Sequence, residues 1–100
     1  MPDLRVVILH FPGPLWQAGK PPFEQPGLQA HVDHYRKLAG DGQLALGGPY
    51  VDGADGLCGM MISVPGADAA ALAAYAEADP AVQSGLLRAE LRTWLVGMKA

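Results

Sequence analysis

Gln25-Pro-Gly-Leu-Gln-Ala-His31-Val-Asp-His34-Tyr-Arg-Lys-Leu-Ala-Gly-Asp-Gly-Gln-Leu-Ala-Leu-Gly-Gly-Pro49 reads as a capped helix running through a glycine turn into a strand. On a helical wheel Leu28, Val32, Tyr35 and Ala39 form the centre of an apolar stripe, flanked by Leu38. His31 falls on that flank, three residues after Leu28 and four before Tyr35, where a helix needing only a core contact would carry Leu or Ile. His34 sits at the edge, while Ala30, Asp33 and Lys37 face water. The helix is expected to start near Pro26, at a first helical position, and to stop at Gly40 as a left-handed cap. Asp41-Gly42 then turns the chain into strand 43–48, closed by Pro49.

The strands around this unit follow from alternation. Residues 4–11, Leu-Arg-Val-Val-Ile-Leu-His-Phe, carry Leu4, Val6, Ile8 and His10 on one face and Arg5, Val7, Leu9 and Phe11 on the other. Both faces are mostly apolar, so both need cover. Between Pro12 and Pro26 lies a proline-rich connection whose fixed φ angles and missing amide donors predict irregular backbone. Connections of this length are often lids or binding loops, and Trp16 and Phe23 on it are placed to roof a pocket or to pin the loop down. Asp52-Gly53 and Asp55-Gly56 read as turn pairs, lacking the ligand count of a calcium loop, and lead to a strand over 57–64. The alanine-rich run 67–78 forms a second helix with Leu72 and Tyr75 as anchors, and Asp79-Pro80 ends it in a short turn through Gly85. The last strand, 86–95, places Leu87, Ala89, Leu91 and Leu95 on one face and Arg88, Glu90, Arg92 and Trp94 on the other, where opposite charges pair or line a polar cleft.

The order β-α-β-β-α-β predicts an α+β, ferredoxin-like sandwich, a four-stranded antiparallel sheet with two helices on one face. The uncovered sheet face predicts a homodimer. With 100 residues there is room for one domain, 1–100, and one core. A net charge of -3, with seven scattered basic residues, argues against nucleic acid as a partner. The apolar runs fall far short of the ~20 residues of a membrane span, and no basic, apolar leader opens the sequence. The lone Cys58, set in an apolar strand, reads as a buried inert thiol in a reducing, cytoplasmic setting.

Several residues together resemble the YCII-like (YciI) family: Ala30-His31, Leu38, Gly42, Gly47-Gly-Pro49, Gly59, and Ala78-Asp79-Pro80 with Val82 and Gly85. Pro12-Gly-Pro14, Lys20-Pro21 and Gln25-Pro26 resemble the YCII-related branch, and the similarity runs from Val6 to Trp94. The resemblance implies a dimeric α+β barrel of ferredoxin-like protomers and a His/Asp active-site pair, carried here onto His31 and Asp79. His34 lies outside the pattern, and Ala81 stands where an aromatic often follows Asp-Pro. The resemblance fixes no substrate.

Each candidate has two readings. An imidazole beside a carboxylate suits general acid–base chemistry, since the carboxylate fixes the tautomer; alternatively His31 is a core-edge histidine satisfied by a carbonyl. Asp79 before Pro80 is an N-cap, which leaves one carboxylate oxygen to orient His31. His10, His31 and His34 match no zinc signature, so no metal and no cofactor is expected. There is no phosphate loop, dinucleotide fingerprint or nucleophile elbow either. Trp16, Phe23, His34 and Tyr35 are the candidate ligand contacts. Two functions stand: a small cofactor-free lyase, isomerase or hydrolase using His31 and Asp79 on a small organic metabolite, or a non-catalytic dimeric binding or accessory domain in which Trp16, Phe23 and Tyr50 supply apolar contact.

Overall fold

The computed structural model describes residues 2–52, 56 and 58–100; the Gly53 and Asp55 members of the expected turn pairs, and the expected strand start at Leu57, lie outside them. Four strands, β1 (Leu4–Pro12), β2 (Leu44–Pro49), β3 (Gly59–Ser63) and β4 (Leu87–Leu95), form one sheet in the order β2-β3-β1-β4. Every pairing is antiparallel, with Val7 opposite Ile62 and Arg92, and His10 opposite Gly59 and Ala89. The long helices are α1 (Leu28–Gly40) and α2 (Ala69–Glu77). With their connections they give an α+β topology compatible with a ferredoxin-like fold. Among the described residues no helix is long and apolar enough to cross a membrane.

Alternation on β1 decides which side is the core. Val6 and Ile8 meet Tyr35 and Leu38 of α1, Leu72 and Ala76 of α2, and Met61 of β3 in one buried cluster. The other face carries Val7, Leu9, Phe11, Met60 and Ile62, with Trp94 44% exposed beside them. Arg88, Glu90 and Arg92 do pair along β4 on that face, at 2.7 and 3.4 Å, and the Arg88 guanidinium lies 4.6 Å from the centre of the Phe11 ring.

Three expectations need correction. The α1 helix starts at Leu28, not near Pro26: the loop ends in a 3-10 turn, Pro22–Glu24, and Gly27, at φ 91°, breaks the backbone between the two. Gly40 is the last helical residue, and the left-handed position is Gly42, at φ 78°, where a side chain would strain the backbone. The segment after Asp79 is a third helix, α3 (Pro80–Ser84), rather than a turn, while Asp79 is an N-cap with Pro80 at the first helical position, as its sequence indicates. Asp68 caps α2 likewise, accepting from the Ala70 and Ala71 amides.

The Pro12–Pro26 connection is fastened at both ends. Gly13 and Leu15 donate their amides to the carbonyls of Leu86 and Gly85. The approach at Gly13 is so close that a Cβ there would stand 2.3 Å from the Gly85 oxygen. At the far end Gln25, only 4% exposed, accepts from the Gln17 amide and donates to the carbonyls of Gln17 and Lys20. Three hydrogen bonds from one buried side chain hold the loop in a fixed curve.

Candidate active site

The α1 stripe splits in two. Tyr35 and Leu38 enter the core, whereas Leu28, Val32 and Ala39, with one side of Tyr35, form the wall of a cavity of about 400 Å³. Residues 44–49 of β2, with Gly59 and Met61 of β3, form the opposite wall. The amphipathic period of the stripe holds, but period alone does not say whether a face meets side chains or a void. Trp16, Pro22 and Phe23 of the connecting loop line the same cavity as His31. Trp16 is half-buried against Ala81, Leu86 and Leu87, while Phe23 is 81% exposed at the rim.

His31 and Asp79 meet at the cavity's inner end. His31 Nδ1 donates to Asp79 Oδ2 at 2.5 Å, and Asp79 Oδ1 accepts the Ala81 amide at 2.9 Å. The carboxylate is fully buried, and the imidazole 9% exposed. Cap and orienting group are thus one residue, with an oxygen for each task. Burial alone would push the Asp79 carboxyl up; the hydrogen bond and charge of His31, the Ala81 amide and the charge of His10 outweigh it and hold it below the usual value. Since Nδ1 is committed, Nε2 is the ring nitrogen left to face the cavity, which His31 helps to line.

His10 and Tyr35 complete this end. The rings of His10, His31 and Tyr35 stand edge-on to one another, with centroids 4.7, 5.2 and 5.3 Å apart. Both nitrogens of His10 and the hydroxyl of Tyr35 are buried without a hydrogen-bond partner among the described residues. Burial, with the charge of His31 added, lowers the His10 pKa to about 4 against the pull of Asp79, so His10 is neutral at pH 7. Burial first, then the negative charge of Asp79, raises the Tyr35 phenol and keeps it protonated. Ligating atoms of His10, His31 and Asp79 lie within 4.8 Å of one another. Each Asp79 oxygen already accepts one hydrogen bond, from the His31 ring or the Ala81 amide, and keeps a second lone pair.

His34 does not line the cavity, contrary to its reading as a ligand contact. Its ring stacks on Tyr75 of α2, its Nε2 donates to the Tyr75 carbonyl at 2.7 Å, and the Tyr75 hydroxyl donates to the His34 carbonyl at 2.5 Å. This reciprocal pair ties α1 to α2. Cys58 precedes β3 rather than lying within it, and is half-buried on the cavity wall. Burial raises its thiol, which keeps it protonated and unreactive.

His10, weighed from sequence only for a metal site, and Arg36 are polar lining residues that sequence reasoning leaves out of the catalytic and ligand-binding set. The signal for His10 is its place after Val6 and Ile8 on the core-facing side of β1. For Arg36 it is the spacing, four residues after Val32 and three before Ala39, which puts it on the same helical face as those two lining residues. Compared with family models and with curated proteins, the sequence matches none.

Proposed function

We propose that the chain is a YCII-like protein and a cofactor-free enzyme in which His31, oriented by Asp79, moves a proton on a small organic metabolite. The observation that carries this reading is the buried His31–Asp79 contact at the inner end of a cavity large enough for a small molecule. Asp79 fixes the tautomer, so the Nε2 lone pair is presented to the ligand. When Nε2 takes a proton, the carboxylate behind Nδ1 stabilises the imidazolium, and the proton is then returned to another atom of the ligand or to a leaving group. Elimination, isomerisation and hydrolysis all use this cycle. Half-buried Trp16 shields one side of the cavity, and Phe23 stands exposed at its rim.

The test works without a named substrate. A panel of small carbonyl compounds and esters incubated with the protein in D2O should include members that exchange C–H for C–D or turn over, read by proton NMR. His31→Gln should slow that reaction by at least about 100-fold with the fold unchanged by circular dichroism. An unaffected rate, or a panel with no reacting member, would contradict acid–base catalysis and favour a binding domain.

The same reading includes a homodimer packed sheet to sheet. Its support is the apolar sheet face turned away from the core cluster, where Val7 and Ile62 are buried, Leu9, Phe11 and Met60 are half-buried, and Trp94 is left 44% exposed. Sedimentation at micromolar concentration should give about twice the 10.5 kDa chain mass. A monomer would remove the assembly and leave the site, which is built within one chain, untouched.

A further inference from the structure

Among the described residues lining the cavity, Arg36 is the one permanently cationic side chain, and there is no aspartate or glutamate. This local sign opposes that of the whole chain, whose net charge is -3. Arg36 forms no ion pair among the described residues. Asp33, one turn before it, is engaged instead by the Gln29 amide at 2.9 Å. Away from Arg36 and the His10, His31 and Tyr35 end, the wall is largely apolar, from Trp16, Leu28 and Val32 to Leu44, Leu46 and Met61.

We propose that the cavity takes a small organic anion, a largely apolar molecule with one carboxylate that pairs with Arg36 at the exposed end of the cavity while its other end meets His31. Orientation follows from charge. The inner end holds the Asp79 carboxylate behind His31, which repels an anion, whereas Arg36 attracts it. A guanidinium suits a carboxylate because its planar fork gives two parallel hydrogen bonds. Five residues of helix separate His31 from Arg36, a rise of about 7.5 Å. The anionic group and the reacting atom therefore sit at opposite ends of one ligand. The identity of the reacting end rests on the function proposed above; the preference for an anion does not.

Naphthalene-2-carboxylate and its neutral amide are matched probes of suitable size, and calorimetry at pH 7 reads their affinities without turnover. The wild-type protein should bind the acid at least about fivefold more tightly, and 0.5 M NaCl should shrink that preference. Arg36→Gln should erase it, Arg36→Lys should retain part of it, and Lys37→Gln, on the water-facing side of α1, should leave it intact. Equal affinity for acid and amide, binding of neither, or a preference that survives Arg36→Gln would overturn the proposal. Because no step of this experiment depends on a proton transfer, each of those results would leave His31 catalysis to stand or fall on the exchange assay.

Discussion

Asp79→Ala is expected to lower the unfolding free energy by about 2–4 kcal/mol, a large share of what a small domain has. The side chain is fully buried and serves two donors, the His31 ring and the Ala81 amide. Losing the cap costs about 1 kcal/mol, and leaving a buried imidazole N–H without an acceptor costs about 1–3 kcal/mol more. Asp79→Asn separates the two tasks. Its carbonyl oxygen can keep the Ala81 bond, but its NH2 then faces Nδ1, so the ring must give up the Nδ1 proton. That variant should keep most of the stability and lose the orientation of His31. The acid limb follows from the lowered carboxyl: its stabilisation is complete above the unfolded-state pKa, near 3.8, and is lost as pH falls through the folded-state value. Urea midpoints for both variants at pH 7 provide the check, and an Asp79→Ala protein within about 0.5 kcal/mol of wild type, inside ordinary surface-mutation scatter, would contradict the account.

His10 is expected to govern a second, milder pH window. The folded chain refuses a proton that the unfolded chain accepts, because the imidazole pKa falls from 6.5 to about 4 on burial. Stability should therefore be full above pH 6.5 and decline as pH falls toward 4, by about 3 kcal/mol at most. Below that the folded imidazole protonates as well and this contribution levels off. His10→Leu should abolish this part of the pH dependence. At pH 7 it should be as stable as wild type or more so, since an apolar group of similar size replaces a buried one whose ring nitrogens lack partners among the described residues. Denaturant titrations of both proteins between pH 4 and 7.5 decide the matter; parallel curves would mean that His10 is hydrated or already paired.

The topology is legible in the sequence because its signals are local. Alternation in Leu4–Pro12 and Leu87–Leu95, the alanine run and the glycine breaks identify every strand and the two long helices. Boundaries are less legible where two signals compete. Pro26 is a good helix starter by type, yet Gly27 at φ 91° separates it from α1, and Pro80 both ends α2 and begins α3. The placement of His31 on an apolar flank, and the spare oxygen of an Asp-Pro cap, are visible as chemistry, but their meeting across 48 positions requires the fold. The surroundings of His34 are hidden from the sequence for the same reason: its partner, Tyr75, lies 41 residues away on another helix. Arg36 carries only its helical spacing from Val32 as a local mark, since an exposed arginine on a helix is ordinary until the opposite wall of a cavity is seen.

The arrangement on which the account turns is one proton on His31, held on Nδ1 by Asp79 so that Nε2 is free toward the cavity. Long-range proton–nitrogen NMR of the histidine side chains, recorded at a pH where the His31 ring is neutral, reads this directly. The account predicts the Nδ1–H tautomer for His31 in the wild-type protein and its reversal to Nε2–H in Asp79→Asn. An Nε2–H tautomer in the wild type, or one indifferent to Asp79→Asn, would contradict it.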